Sequence, residues 1–415
     1  MRIGFVTQWF DPEEGSAAVP GGMVRALEQL GHQVEVVTGF PNYPHGRLYD
    51  GYRMRPYMVE RRGSTTVHRV PLYPSHDRSA ARRAANYVSF AMSAATLGVA
   101  RVRKANVILV YSTPATVGLA GLAARRLWHQ PFVLYIQDLW PDTLMAAGML
   151  PEGRLTRLLE ARLGRFCQGI YRRASRIAVI SPGMSELLTR RGVPDDKIDV
   201  IHNWVDEDVF RPVRQALGRR DDGFEVMYAG SMGDVQGLEV AVEAIALLSD
   251  LPDVRLRLVG SGVAVPRLRE LATRLAVSDR VVFEGPRPLR EMASVMVGAD
   301  VQLVCLRDLP LFQATMPSKM QAILATGCPV VVSAPGDAAG LAVRSGAGVA
   351  CSPGSATGLA AALRQMRSLP AHERVRMGRA GREYYERELS SAIGSRRLES
   401  ALAAAVVGSK ATVSA

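Results

Sequence analysis

At 415 residues, with 48% hydrophobic and 22% charged side chains, the chain has the balance of a globular protein and exceeds one ordinary hydrophobic core. Its apolar content excludes a disordered chain. Four scattered cysteines, Cys167, Cys305, Cys328 and Cys351, form no CxxC pair, which excludes a disulfide framework and a cysteine zinc site. The formal charge of +12 is uneven, because residues 1–180 carry 23 basic and 12 acidic side chains against 28 and 27 in the remainder.

A basic half beside a neutral half points to a polyanion near the first half, either an anionic membrane or a nucleic acid. Arginine codon bias in a GC-rich bacterial genome accounts for the same count, since 47 of the 51 basic residues are arginine. Aromatic residues are only 6% and show no aromatic–basic binding pattern, so no nucleic acid is expected as a partner. Residues 1–10 run straight into a strand-like segment with no secretion signal. The expected place is the cytoplasm, with peripheral contact on the inner face of the cytoplasmic membrane.

In the first half, apolar runs at 3–7, 34–38, 107–111, 132–137 and 177–180 read as buried strands. Helices are expected at 21–30, closed by Gly31, then at 117–127 and 185–190. Strands at 226–229, 255–259, 281–283, 301–306 and 329–333, with a helix at 238–248, repeat the alternation in the second half. The fold class is therefore α/β, with two Rossmann-like doubly wound domains in series. The expected division is one Rossmann-like domain at 1–180, a second at 181–395 and a tail at 396–415. The mixed stretch 206–222 reads as a linker within 203–222. Ligands are expected at the carboxyl ends of the strands, in a cleft between the domains.

Residues 78–104 stand apart. Arg78, Arg82 and Arg83 lie at one end, Arg101, Arg103 and Lys104 at the other, and seventeen uncharged residues lie between. That is marginal for a membrane span. The segment reads equally as an interfacial helix or as a surface helix packed on its own domain. The arginine-rich stretch 154–176 reads as a solvated charged face.

Two loops suit phosphate. Tyr228-Ala229-Gly230-Ser231-Met232-Gly233 links a strand to a helix, and Leu258-Val259-Gly260-Ser261-Gly262 repeats the arrangement. Glycines there let backbone N–H groups approach an anion at a helix N-terminus. Neither loop matches GxGxxG or a P-loop, which disfavours a dehydrogenase or kinase. In Met316-Pro317-Ser318-Lys319-Met320-Gln321, Pro317 and Ser318 open a helix with Ser318 as cap. Lys319 then lies in the first turn, unfavourable against the helix dipole unless an anion sits nearby. A diphosphate would supply that anion.

These segments and others resemble the family 4 glycosyltransferases of the GT-B fold, in the bacterial branch that builds colanic acid and O-antigen polysaccharides. The matching pieces include the run Gly39-Phe40-Pro41-Asn42-Tyr43-Pro44, Asn86-Tyr87-Val88-Ser89-Phe90 and Asp138-Leu139-Trp140-Pro141-Asp142. Asn203-Trp204-Val205-Asp206, Gln236-Gly237-Leu238, Pro317-Ser318-Lys319 and Gly327-Cys328-Pro329-Val330 extend the match over nearly the whole chain.

The resemblance implies retaining transfer of a hexose or N-acetylhexosamine type of sugar from a UDP-sugar. The donor phosphate itself would take the acceptor's proton, and protein cations would stabilise the leaving diphosphate. No cofactor and no metal are implied. The acceptor would be lipid-linked or a small molecule. Gly230, Ser231, Gly233, Gln236, Gly260, Gly262, Pro317, Ser318, Lys319 and Gln321 would hold the donor. Glu14, Gly15, Ser16, Asn42 and Asp138 would hold the acceptor. Lys319 and Asp138 would be the catalytic pair.

Departures from the family pattern are specific. Ser231 and Gln236 stand where many members carry an arginine and a lysine. Ala314 and Ala322 replace a Glu-x7-Glu pair, and Gln137 replaces a histidine. Gln321 or Glu239 would then bind donor hydroxyls. Asp206-Glu207-Asp208 superficially offers a DxD metal motif and reads instead as linker or cap. The missing residues motivate two alternatives, a non-catalytic partner subunit of the same fold and a hydrolysing nucleotide-sugar epimerase.

Overall fold

The computed structural model describes residues 1–76, 79–146, 153–213 and 223–413. They form two compact units, the first of Met1–His202 with Gly394–Ala415 and the second of Asn203–Ile393.

In chain order the first unit contains β1 (Arg2–Val6), α1 (Val19–Gln29), β2 (Gln33–Gly39), β3 (Met58–Arg62), β4 (Thr65–Val70), α2 (Ala80–Ser93) and β5 (Val107–Ser112). Then follow α3 (Gly118–Trp128), β6 (Phe132–Ile136), α4 (Asp142–Ala146), α5 (Arg154–Arg173), β7 (Arg176–Val179), α6 (Pro182–Arg190) and β8 (Ile198–Val200). The sheet order is β3-β4-β2-β1-β5-β6-β7-β8, parallel except for the β3–β4 hairpin. Every residue of β5 and β6 is buried, which explains their unbroken apolar runs, since helices cover both faces of a parallel sheet.

The second unit contains β9 (Phe224–Ala229), α7 (Glu239–Ala246), β10 (Val254–Val259), α8 (Val265–Arg274), β11 (Val281–Glu284), α9 (Met292–Met296) and β12 (Val301–Cys305). It continues with α10 (Ser318–Thr326), β13 (Val330–Ser333), α11 (Gly336–Arg344), β14 (Gly348–Cys351), α12 (Ala356–Ser368), α13 (Ala371–Tyr384) and the start of α14 (Ser391–Val413). Its six strands are all parallel, in the order β11-β10-β9-β12-β13-β14. Strand order reverses between β1 and β5 in the first sheet and between β9 and β12 in the second. Such switch points are where doubly wound sheets take ligands.

The expected boundary after residue 180 is corrected. β8 pairs with β7, so residues 181–202 complete the first sheet. The expected tail is also no separate piece, because residues from Gly394 onward belong to the first unit. His32 fastens it, with Nε2 2.9 Å from Glu399 Oε1 and Nδ1 3.0 Å from the N-terminal amine. The hairpin β3–β4 and strands β8 and β14 escaped the sequence reading, being short or half-polar. Of the expected linker, 214–222 lies outside the described residues.

Residues 80–98 form α2 followed by a π-helical turn, Ala94–Gly98, packed on the first sheet. A Cβ on Gly98 would lie 2.3 Å from Val37 Cγ1, so the close seat needs glycine. No helix among the described residues is long and apolar enough to cross a membrane. Arg78 lies outside the described residues. Val88 and Met92, one turn apart on the outer face of α2, are nevertheless about half exposed.

Arg69 holds the loops of the first unit together. It is fully buried and donates to Glu60 Oε1 (2.9 and 2.6 Å) and to the carbonyls of Gly39 (2.7 Å) and Asp11 (2.5 Å). Burial alone would raise Glu60, but the hydrogen bonds and charges of Arg69 and Arg62 hold it below the usual carboxylate range. Arg69→Met would orphan two carbonyls and leave Glu60 with only Arg62 and Tyr52 as partners. Urea unfolding is expected to show a loss of about 3–5 kcal/mol. Arg287→Met, which breaks an exposed pair with Glu284, should cost about 0–1 kcal/mol.

Candidate functional site

In the second unit the switch point is occupied by Lys319. Its Nζ lies 3.7 Å from the ring centroid of Tyr228, the fifth residue of β9. Tyr228 donates its hydroxyl to the Ser231 carbonyl at 2.6 Å, which fixes the ring. A Cβ on Gly230 would come within 3.3 Å of Nζ, so glycine there leaves room for the ammonium. Among the described residues, no carboxylate pairs with Lys319. Burial lowers its pKa to about 7, against a small opposing effect of Cys305. The Cys305 thiol is itself pushed up to about 12 by burial, so it is neutral and supplies no counter-charge. A cation held over an aromatic face gains about 0.5–2 kcal/mol, less than desolvation removes.

Helix α10 adds its N-terminus to the same place. Pro317, however, occupies the cap position, Ser318 is the first helical residue, and no side chain caps the helix. The expectation of Ser318 as cap is corrected, and Ser318 is exposed. The amides of Ser318 and Lys319 have no acceptor among the described residues.

The glycine loops do less for phosphate than their sequence suggested. Gly230 N donates to Val259 O (2.9 Å), Met232 N to Ser261 O (2.8 Å) and Gly260 N to Glu284 O (3.2 Å). A Cβ on Gly260 would lie 2.1 Å from Gly230 O, and one on Gly262 would lie 2.2 Å from Met232 O. Both glycines have positive φ, at 133° and 157°. They let the two loops lie backbone against backbone. The free donors are instead the amides of the exposed residues Ser231, Ser261 and Gly262.

Three further donor expectations are corrected. Gln236 caps its own loop by accepting from Gly233 N at 2.9 Å, which also consumes the Gly233 amide. Gln321 is 2% exposed, and its amide nitrogen is oriented by the network to donate to the Pro317 and Ser318 carbonyls, both at 2.9 Å. Glu239 is paired with Arg267, which also binds Asp234 at 3.0 Å. Ala322 is buried and apolar. Glu207 accepts from Tyr385 Oη (3.0 Å) and from Ser391 N and Oγ (2.7 and 2.8 Å), so the acidic triplet is an anchor for the last helices.

A cavity of about 670 Å³ opens beside this sheet end, lined by Gly237, Glu239, Arg267, Arg307, Leu309 and Gly354 among others. Lys319 is not in its wall. Arg307, which the sequence reading missed, is exposed, and its stem packs on Gly237, where a Cβ would lie 3.0 Å from Cγ. Gly237 thus seats an arginine one residue from Gln236.

In the first unit Asp138 follows β6, next to the end of β5, and Thr113 Oγ1 donates to it at 3.4 Å. Burial raises its pKa. Glu14 and Gly15 are exposed on the loop after β1, and the side chain of Ser16 lies outside the described set. Asn42 is 1% exposed and bonds the Phe40 carbonyl at 2.9 Å, so its assignment to the acceptor is corrected. Glu13 accepts from the amides of Asn42, Tyr43 and Phe10 at 2.7–3.0 Å and locks two loops together.

Aromatic rings were the feature missed. Trp9 after β1 touches Tyr43 after β2 (centroids 5.4 Å) and Tyr87 on α2 (6.4 Å). Tyr43 meets His76 at 4.9 Å, and Tyr87 meets Trp140 at 6.0 Å. The rings come from five separate segments, so no local spacing reveals them.

Comparison with known proteins places this architecture. Residues 14–204 match the family described as "Glycosyl transferase 4-like domain", and residues 209–384 match "Glycosyl transferases group 1". A glycosyl transferase named for colanic acid biosynthesis, WcaI of Escherichia coli, is 28% identical over 92% of this chain and 94% of its own. A D-inositol 3-phosphate glycosyltransferase of Pseudarthrobacter chlorophenolicus is 30% identical over 63% of each chain. Among solved structures, sucrose-phosphate synthase from Thermosynechococcus elongatus superposes with a TM-score of 0.71 at 20% identity, covering 96% of this chain and 97% of that one. Anabaena HepE in complex with UDP-glucose gives 0.66 at 17% identity, covering 96% and 99%.

Only four lysines are present, so lysine-labelled protein yields an assignable spectrum. One ammonium resonance should titrate with a midpoint of about 7 and vanish in Lys319→Arg. Titration of all lysines above pH 9 would contradict the desolvated site.

Proposed function

Because this chain belongs to the family 4 glycosyltransferases of the GT-B fold and to glycan biosynthesis, we propose that it moves a hexose or N-acetylhexosamine type of sugar from a UDP-sugar to a lipid-linked or small-molecule acceptor, with retention. The observation that carries the reading is the unpaired Lys319 ammonium at the β9–β12 switch point. A nucleoside diphosphate supplies the missing negative charge. The solved HepE structures with UDP and UDP-glucose support the choice of donor.

In the proposed reaction, the anomeric bond to the diphosphate breaks as negative charge collects on the leaving oxygen. Lys319 and the N-terminus of α10 stabilise that charge. Arg307 takes over from the cation absent at Gln236. The donor phosphate accepts the acceptor proton on the same face, which needs no strong protein base. Asp138 orients the acceptor hydroxyl in the first unit. The reaction is proposed to need no metal.

The diphosphate raises the Lys319 pKa from about 7. Between that value and the raised one, binding takes up a proton, so affinity falls as pH rises through the window. Calorimetry of UDP at pH 8 in buffers of different ionisation enthalpy should show proton uptake, absent in Lys319→Gln. The same variant should lower turnover about 10²–10³-fold, read as donor hydrolysis by mass spectrometry across UDP-, GDP- and dTDP-sugars. Undetectable UDP binding at millimolar nucleotide would instead favour the non-catalytic partner subunit.

A cytoplasmic, peripheral location is part of the proposal. Val88 and Met92 are exposed on α2, and Arg82, Arg101, Arg103 and Lys104 are exposed around it. Replacing Arg82, Arg101 and Arg103 with Ser should cut cosedimentation with anionic vesicles about 10²-fold, at about 1 kcal/mol per arginine. Unchanged cosedimentation would contradict membrane contact.

A further inference from the structure

A second cavity, of about 510 Å³, lies in the first unit along one face of α5. Its wall takes Arg157, Glu160, Gly164, Gln168 and Tyr171 from that helix, at spacings of three and four residues. From residue 157 to residue 171 the stripe is about 21 Å long, at about 1.5 Å per residue, which carries the cavity well beyond the strand ends. Trp140 and Asp142, around the start of α4, and Arg191, at the end of α6, complete it. The volume falls within the range of about 300–1,000 Å³ usual for small-molecule sites.

Gly164 keeps the floor open. A Cβ there would have nothing within 4 Å. One on Gly118 or Gly121 of α3 would lie 2.6 Å from Ile170 or 2.7 Å from Phe132, so those glycines serve packing. Glycine inside a helix is less stable than alanine, and at 164 no packing contact offsets that loss. The frame around it is fixed. Arg191 donates to Asp142 Oδ1 (2.6 Å), and Gln168 donates to the Arg191 carbonyl (3.1 Å), which ties α5 to α6. Asp142 Oδ2 is buried with no partner among the described residues, and buried polar atoms ordinarily find one. Burial pushes the Cys167 thiol up to about 11 and raises Tyr171, so both stay neutral in the wall. Arg157 and Glu160 stand one turn apart, and neither pairs with a charged side chain among the described residues.

Those contents select the occupant by elimination. The charged lining groups are two cations, Arg157 and Arg191, and two anions, Asp142 and Glu160, so a ligand of either sign meets as much repulsion as attraction. A purely apolar chain would strip water from them with no hydrogen bond in return. A neutral ligand bearing hydroxyls satisfies both signs, and Trp140 with the bare backbone at Gly164 offers an apolar surface to the C–H face of a pyranose ring. We propose that the cavity between α5 and the Trp140–Asp142 turn is a second carbohydrate site, which holds a neutral sugar unit of a glycan away from its reacting end. Trp140 is shared, since its ring also meets Tyr87 at 6.0 Å, so a glycan seated on α5 extends from there toward the strand ends. The choice of a glycan as occupant rests on the glycosyl-transfer reading, which brings such chains to this protein.

Tryptophan supplies the readout, because the chain has four, Trp9, Trp128, Trp140 and Trp204. The full chain labelled with 5-fluorotryptophan is titrated with maltotriose, with triacetylchitotriose and with dodecanoate, and Trp140→Phe assigns the Trp140 line in the fluorine spectrum. At least one trisaccharide is expected to move that line, saturating at millimolar concentration, while the other three lines move less. Gly164→Leu, which fills the floor, and Arg157→Ala/Glu160→Ala, which removes unpaired groups, are each expected to weaken the trisaccharide at least tenfold, with circular dichroism and UDP affinity unchanged. Gly164→Ala is expected to raise the melting midpoint by about 2 °C, as alanine does where no contact needs glycine. The proposal is overturned if neither trisaccharide moves the Trp140 line, if dodecanoate alone moves it, if both variants bind undiminished, or if Gly164→Ala melts lower. Trisaccharide binding without UDP binding keeps this site and sinks the transfer reading, and UDP binding without a trisaccharide response does the reverse.

Discussion

A lysine ammonium drawn out of water, with an aromatic face beneath it and no carboxylate paired with it among the described residues, sets the terms for the second unit. Such a group is stable only as a compromise. It loses its proton readily, and it regains a full charge when an anion arrives. Every neighbouring choice is consistent with keeping it so. Gly230 clears the space, Tyr228 is pinned by its own hydroxyl, and Cys305 is too deeply buried to ionise. A carboxylate in that shell would stabilise the resting protein and hold the ammonium charged.

The first unit handles charge in the opposite way. Fully buried Arg69 and partly buried Glu60 satisfy one another and two carbonyls, and they build rather than bind. Glu13 does the same for the loops after β1 and β2. At the carboxyl ends of the same sheet the rings of Trp9, Tyr43, Tyr87 and Trp140 gather.

Much of this was legible in the sequence. Unbroken apolar runs gave the central strands because helices bury a parallel sheet on both faces. Lys319 was legible because it is rare in an arginine-rich chain and stands against a helix dipole. The short strands at 58–62, 198–200 and 348–351 were not, since edge strands are half-polar and carry little periodicity. Gln236, Gln321 and Asn42 were misread for one physical reason. Each is a polar side chain whose best partner is its own backbone neighbourhood, and sequence does not show whether a side chain turns inward. The glycines at 260 and 262 were marked for phosphate but serve loop-on-loop packing. The ring chain and the stem of Arg307 on Gly237 arise from distant segments brought together by topology.

The return of residues 394–413 to the first unit has a practical consequence for how this enzyme can be taken apart. The first unit is non-contiguous in the chain, completed only when its last helix has been synthesised. A fragment ending at residue 202 would expose the surface that α14 covers and leave His32 without Glu399. Segmental exchange of the second unit with that of a relative must therefore splice at two points, near 202 and near 393, and keep the C-terminal helix with its parent. A single crossover would deliver a foreign helix to a native seat, and the mismatch would register as lost solubility before any change in donor choice could be read.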